Sequence, residues 1–269
     1  GLFKPKKLPS TVAPELGAAL VAEKAFPATA VAKAAGAVRD LGVTDAPPAG
    51  RLAPTASDDL PGEAFVADGA AGAPGLAVVN LYAPKRTASV WELDARDPAR
   101  FGKAFGARFD AQQSSWIMFD AESVVALPAR RLLIHVNHTG ANGATANTLH
   151  VFDAAGDRMR SLGEITPDFS KGVPLQFIDT LQAGPQAVLV LFHSDKERLG
   201  QERYVNHYDH LVLFSPRHPD GLEIVKLGLD DGAVRRWGLA GTKLWLQTAD
   251  DRASPARTFT WSIDLGRIL

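Results

Sequence analysis

The side chains in this sequence with the most evident capacity for chemistry are its seven histidines and its paired carboxylates. His135 and His138 flank Asn137, His193 opens a polar stretch, and His207, Asp209 and His210 fall close together. Imidazole and carboxylate groups together can hold zinc or a related transition metal. On an extended strand, however, His207 and Asp209 share one face while His210 points to the other, which works against convergence on an ion. No metal site is expected. The adjacent acids Asp230-Asp231 and Asp250-Asp251 could do acid–base work of the kind used in glycoside hydrolysis. That chemistry depends on a spatial separation between two carboxyl groups, and Asp pairs are also ordinary turn residues.

Sharper catalytic signatures are absent. The sequence has no Gly-x-Ser-x-Gly elbow, no His-Glu-x-x-His, no phosphate-cradling glycine loop ending in Lys-Ser/Thr and no dinucleotide fingerprint. The glycines in Thr139-Gly140-Ala141-Asn142-Gly143 read as a flexible turn, since no lysine follows and no strand-to-helix junction is present. No cofactor is implied. The lack of cysteine removes disulfides, thiol catalysis and thiolate metal sites.

The elements that must position these residues are strands. Apolar triplets begin at Leu76, Leu132, Val188 and Leu244, each 56 residues after the one before. Each is followed by a loop and a second apolar segment: VWELD ending at Asp94, LHVFD at Asp153, LVLFS at Ser215 and WSID at Asp264. A further short segment follows from Arg100, Arg158 and Leu222, and is reduced in the last unit to Arg267-Ile268-Leu269. Another precedes each triplet, from Ala64, Ser115, Pro174 and Val234. The segments are short, rich in Val, Ile, Leu, Phe and Trp, and bounded by Gly, Pro, Asp and Asn, which favours β-structure over helix. Each unit reads as a meander of four strands.

Four-stranded units recurring at this order of period resemble the β-propeller superfamily, over about Asp59 to Leu269. The resemblance is architectural, with no Trp-Asp signature, kelch double glycine or Asp-box in the sequence. It implies an all-β fold of four four-stranded repeats of about 56 residues, or five if the N-terminus contributes one, and a β-sandwich is the alternative. Residues 1–58 form an Ala/Pro-rich N-terminal segment, and 59–269 the β-repeat domain. Pro14 to Phe26 and Pro27 to Leu41 suit helices, with Thr11 as a cap, Pro27 as a breaker and Gly42 as a stop. Against this, Leu20-Val21-Ala22 is in phase with the triplets, so a degenerate fifth unit stays open. Trp91, Trp116, Trp237, Trp245 and Trp261 all fall in strand segments, where they fill the core; a sugar-stacking platform is the functional alternative.

In a propeller the loops after the triplets share one rim, and loops on a rigid scaffold commonly carry function. That rim would hold Asn80, Tyr82, Lys85 and Arg86, then Asn137, His138, Asn142 and Asn147, and finally Asp250, Asp251 and Arg252. The stretch from His193 to Asn206 reads as the longest of these loops, and it is dense in charge. The expected binding residues are therefore His138, Asn142, His193, Asp195, Lys196, Glu197, Arg198, Arg203, Asp250 and Asp251.

Composition narrows the partners. A net charge of −1 offers no broad basic surface, so nucleic acid is not expected, and no apolar run is long enough for a transmembrane helix. No basic-then-apolar leader stands at Gly1, while the stretch from Ala46 to Ala56 resembles a spacer behind an exported protein's anchor, so a periplasmic or cell-surface location is expected. The functional expectation is a non-enzymatic binding or assembly module that grips a protein partner through the loop rim, including an inhibitor or immunity-type protein. The alternative is a hydrolase or lyase acting on a carbohydrate or similar polar polymer. An enzyme would need converging acids with shifted pKa values, and a binder an exposed complementary patch.

Overall fold

A computed structural model describes residues 10–35, 38–41, 50–55, 62–81, 87–94, 96–97, 101–105, 116–140, 145–164, 175–197 and 205–269. The described chain is all-β apart from short 3-10 turns and one helix, α1 (Ala28–Ala35). No described helix is long and apolar enough to cross a membrane.

Five short strands come first: β1 (Thr11–Val12), β2 (Val21–Glu23), β3 (Arg39–Asp40), β4 (Arg51–Leu52) and β5 (Pro54–Thr55). The first meander is β6 (Gly62–Ala67), β7 (Leu76–Leu81), β8 (Thr87–Leu93) and β9 (Phe101–Ala104). The second is β10 (Trp116–Leu127), β11 (Arg131–Gly140), β12 (Thr145–Asp153) and β13 (Arg158–Ser161). The third is β14 (Leu175–Gly184), β15 (Ala187–Glu197), β16 (Val205–Phe214) and β17 (Leu222–Leu227). The last run has only three strands, β18 (Ala233–Ala240), β19 (Lys243–Asp250) and β20 (Arg257–Asp264). All pairings are antiparallel within four separate sheets, and each apolar triplet lies on the second strand of its run, β7, β11, β15 or β19.

The chain divides into two compact units, Gly1–Ala49 with Leu175–Leu269, and Gly50–Pro174. In the second unit β5 adds to the edge of β6, and β4 to the edge of β10. Its core is built from Val78, Val90, Val124, Ile134, Val136 and Phe152, with the Phe105 ring meeting Phe152 edge-on at 4.9 Å. Asn80 pins the two sheets of this unit together: its amide donates to the Ala121 carbonyl at 3.1 Å and accepts from the Ala121 N–H at 2.8 Å. Beside it the β10–β11 register shifts, with a bulge at Glu122 between Ala121 and Ser123.

In the first unit β1 extends the third sheet at β17, while β2 and β3 take the two edges of the last sheet, at β20 and β18. The missing fourth strand of the last run is thus supplied from the N-terminus, and Arg267-Ile268-Leu269 forms a turn instead of a strand. The register places Ala22 opposite Trp261 and Glu23 opposite Thr260, and Glu23 accepts hydrogen bonds from Ser262 at 2.7 Å and Lys243 at 3.2 Å. Pro14 to Phe26, expected as helix, is a 3-10 turn followed by β2, with Thr11 in β1 and not at a cap. Edge pairing and burial of Leu16 in the core of this unit outweigh the helix propensity of the alanines. The second expected helix exists in part, as α1 beginning just after Pro27; the expected stop at Gly42 lies outside the described residues.

All five tryptophans lie on strands. Trp237 is fully buried in the first unit's core, which also holds Leu191, Leu211, Leu244, Leu246 and Ile263. Its indole N–H would be stranded there without an acceptor. Asp179, only 1% exposed, accepts it at 2.9 Å, and also accepts from Arg39 through Nε at 3.1 Å and Nη2 at 3.0 Å. This carboxylate ties β14, β18 and β3 to one point, and its hydrogen bonds hold the Arg39 guanidinium more firmly protonated than usual.

Candidate functional site

A cavity of about 610 Å³ opens in the first unit, of a size common for ligand sites. Leu191, Leu227, Leu229, Ile178, Val234 and Leu41 supply apolar walls, and His193, Asp209, Arg235, Asp250, Asp251 and Arg252 line it with charge. Two bulges shape it. Ile178 is the extra residue between Phe177 and Asp179 on β14, and Arg235 the extra residue between Val234 and Arg236 on β18. The Arg235 carbonyl, freed from the ladder by its bulge, accepts the Leu41 N–H at 2.7 Å, which fixes Leu41 beside the opening.

One wall is a histidine–aspartate pair. His193 and Asp209 face each other across β15 and β16, with Nδ1 of His193 at 2.7 Å from Oδ1 of Asp209. An ionised carboxylate only accepts, so the contact keeps a proton on Nδ1. The other oxygen of Asp209 accepts the Val234 N–H at 2.6 Å, which satisfies the bulged backbone of β18 and ties the two sheets of this unit together.

The opposite wall is built on Asp250, the last residue of β19, whose side chain is 1% exposed. It accepts from Arg252 at 2.8 and 3.0 Å, from Arg257 at 2.6 Å and from the Arg252 backbone N–H at 3.2 Å. The hydrogen bonds from Arg252, ahead of those from Arg257, hold the Asp250 carboxyl well below the usual carboxylate range, and the same contact holds Arg252 protonated. Arg252 also reaches Asp230 at 3.1 Å and the Leu229 carbonyl at 3.2 Å, while Arg235 pairs with Asp251.

The other faces of β15 and β16 hold a different arrangement. Ser194 Oγ lies 2.7 Å from Nε2 of His210, and Nδ1 of His210 lies 2.7 Å from Glu223 Oε2. The order is that of a nucleophile, a base and an orienting acid. Ser194 is only 1% exposed and His210 is fully buried, while Glu223 is partly exposed, so the hydroxyl and imidazole hydrogen-bond within the sheet and away from solvent.

Of the residues expected to bind, the structure brings His193, Asp250 and Asp251 to the same cavity. His193, Asp195, Lys196 and Glu197 lie on a strand and not in a loop: β15 and β16 stay paired as far as Glu197 opposite Val205, so residues 193–197 and 205–206 of the expected loop belong to the ladder. A run of charged residue types reads as a loop in the sequence even where the backbone continues its ladder. Arg198 and Arg203 lie outside the described residues, as does Asn142; His138 sits on β11 opposite Ala146. Asp250 was expected as an exposed rim charge and is instead a buried anchor, because two guanidinium groups compensate it. Asn80 and Asn147 are likewise committed, Asn80 to the Ala121 peptide and Asn147 to His135 Nε2 at 2.7 Å. Arg235, Asp209 and the bulges were not singled out for this site. For Asp209 the one signal in the sequence is the His207-Asp209-His210 run, through the opposite facing of Asp209 and His210.

Among the described residues no three His, Asp or Glu side chains gather as metal ligands. No protein-family model matches the chain, and no match emerges among curated proteins or among solved structures.

Proposed function

We propose that the protein is an exported, non-enzymatic binding module whose four sheets are the blades of a β-propeller and whose first-unit cavity grips a protein partner. The propeller reading is supported by the common strand order of the four sheets and by β2, which completes the last one from the other end of the chain. The export reading rests on the Ala/Pro-rich stretch from Ala46 to Ala56.

The observation that carries the binding reading is the commitment of the cavity's ionisable groups. A catalytic acid or base works best with a pKa near the operating pH. Asp250 is held far to the acid side by Arg252 and Arg257, and Asp209 is engaged with both His193 and the Val234 N–H. Such groups hold walls in place better than they exchange protons. What remains is an apolar recess with charges of both signs at its mouth, the composition of a protein-contact hot spot with its polar rim.

The test is capture from an extract of the native host, comparing the wild-type chain with Arg235→Glu, a change at a half-exposed side chain that the fold should tolerate. The expected result is a protein recovered by the wild type and reduced tenfold or more by the variant, a loss of about 1.4 kcal/mol. Capture that ignores the variant, or turnover of a polysaccharide by the purified chain, contradicts the proposal.

A further inference from the structure

The ion pairs around the cavity fall into two classes. Asp250 and Asp209 have side chains that are 1% and 7% exposed, and their partners hold the walls. The Arg235–Asp251 pair lies at the mouth, its side chains 46% and 58% exposed. Exposed pairs of this kind contribute little to stability, so each can be exchanged for a pair with an incoming group at small cost. Buried pairs cannot be exchanged without leaving a charge uncompensated. The mouth is therefore adaptable and the walls are fixed.

The mouth also carries both signs. An incoming anion finds Arg235 but is opposed by Asp251, and an incoming cation meets the reverse. A polyanion or a polycation is therefore poorly matched, and a ligand with one charge of each sign is well matched. Between these charges lies an apolar recess walled by Leu191, Leu227, Leu229 and Ile178, in a cavity of about 610 Å³ that has room for a large side chain.

From these features we infer that the occupant is an extended segment of a partner protein that inserts one large apolar side chain and carries an acidic and a basic residue flanking it. This deepens the binding reading above and rests on it. The anchor supplies affinity by leaving water, and the flanking charges replace Asp251 and Arg235 as each other's partners.

The experiment uses the full chain and blocked synthetic peptides with the cores Glu-Trp-Lys and Lys-Trp-Glu, the same peptides with Ser in place of Trp, and Glu-Trp-Glu and Lys-Trp-Lys, with affinity read by calorimetry. At least one mixed-charge Trp peptide is expected to bind tenfold or more tightly than its Ser counterpart, and at least threefold more tightly than either like-charged peptide. Arg235→Glu is expected to move the preference towards Lys-Trp-Lys with unchanged thermal melting, a gain that simple destabilisation could not produce. Equal binding of Trp and Ser peptides, equal binding of like-charged peptides, a preference that Arg235→Glu leaves in place, or no binding up to millimolar concentration overturns the inference. Host-protein capture that depends on Arg235 alongside any of those results would leave the binding reading standing and remove only this occupant.

Discussion

Breaking the pin between Arg39 and Asp179 is expected to cost far more than the position of Arg39 suggests. Arg39 is 39% exposed, and a side chain so placed is normally replaceable at little cost; its partner, however, is 1% exposed. Removing one member of a buried ion pair costs about 3–5 kcal/mol, and solvent access to the arginine side lowers the expectation for Arg39→Ala to about 2 kcal/mol. Asp179→Ala frees Arg39 to solvent but leaves the Trp237 indole N–H buried without its acceptor, 2.9 Å away in the wild type. Loss of that bond with the two from Arg39 amounts to about 3 kcal/mol. In the double variant the Arg39 change should add little, because the partner it would strand is already gone, so the two effects should fall short of additivity by about 1.5 kcal/mol. Urea denaturation followed by tryptophan fluorescence and by far-UV circular dichroism measures all three, with coincident transitions required before a single free energy is used. The pin also bears on function, since Arg39 lies two residues before Leu41 at the cavity. An Arg39→Ala cost below about 0.5 kcal/mol, or strict additivity of the pair, would refute the reasoning.

Deletion of Gly1 to Ala46 removes β1, β2, β3, Leu16 and the Asp179 partner, so loss of cooperative folding is expected, and a soluble remnant with the wild-type melting curve would contradict the assigned pairings. Burial holds the His135 imidazole below its ordinary 6.5 despite its bond to Asn147. Its neutral form is thus the folded form, stabilisation is complete above pH 6.5 and declines as the unfolded chain takes up a proton below it, and His135→Gln should flatten stability against pH in that window. Asp250 has the opposite charge type, a carboxyl depressed by Arg252 from an ordinary 3.8: its stabilisation is present above that value and lost as pH falls below it, a loss that Asp250→Asn should remove from acid-denaturation curves. At φ 78° and ψ 169° Gly232 occupies a region almost closed to other residues, and a Cβ would stand 2.6 Å from the Ala249 carbonyl carbon. Gly232→Ala should cost at least about 2 kcal/mol in the same denaturation assay, and a neutral result would contradict the backbone geometry at the cavity wall.

The strands that carry apolar faces were legible in the sequence because Leu76, Leu132, Val188 and Leu244 are buried at the first or second position of the second strand of each run and the segments around them keep their order. The edge strands were not. β1 to β5 are two or three residues long, too short for any alternation to show, and they exist through pairing with strands far along the chain, such as Val21 opposite Ser262. The cavity was legible only in pieces for the same reason. His193 and Asp250-Asp251 drew attention by residue type, whereas Arg235 becomes a site residue through a bulge, and Leu41 through a hydrogen bond to that bulge's carbonyl. Asp179 illustrates the limit most clearly, since a single Asp in an apolar strand says nothing of an arginine 140 positions away.

The central claim, that the first-unit cavity is the partner-binding surface, is tested most directly by hydrogen–deuterium exchange on the chain alone and with its captured partner. Partner binding is predicted to protect residues 228–235 and 249–252, which border the cavity from two strand ends. Protection confined to strands that do not line the cavity, such as β1 or β20, with residues 228–235 and 249–252 exchanging as before, would contradict it.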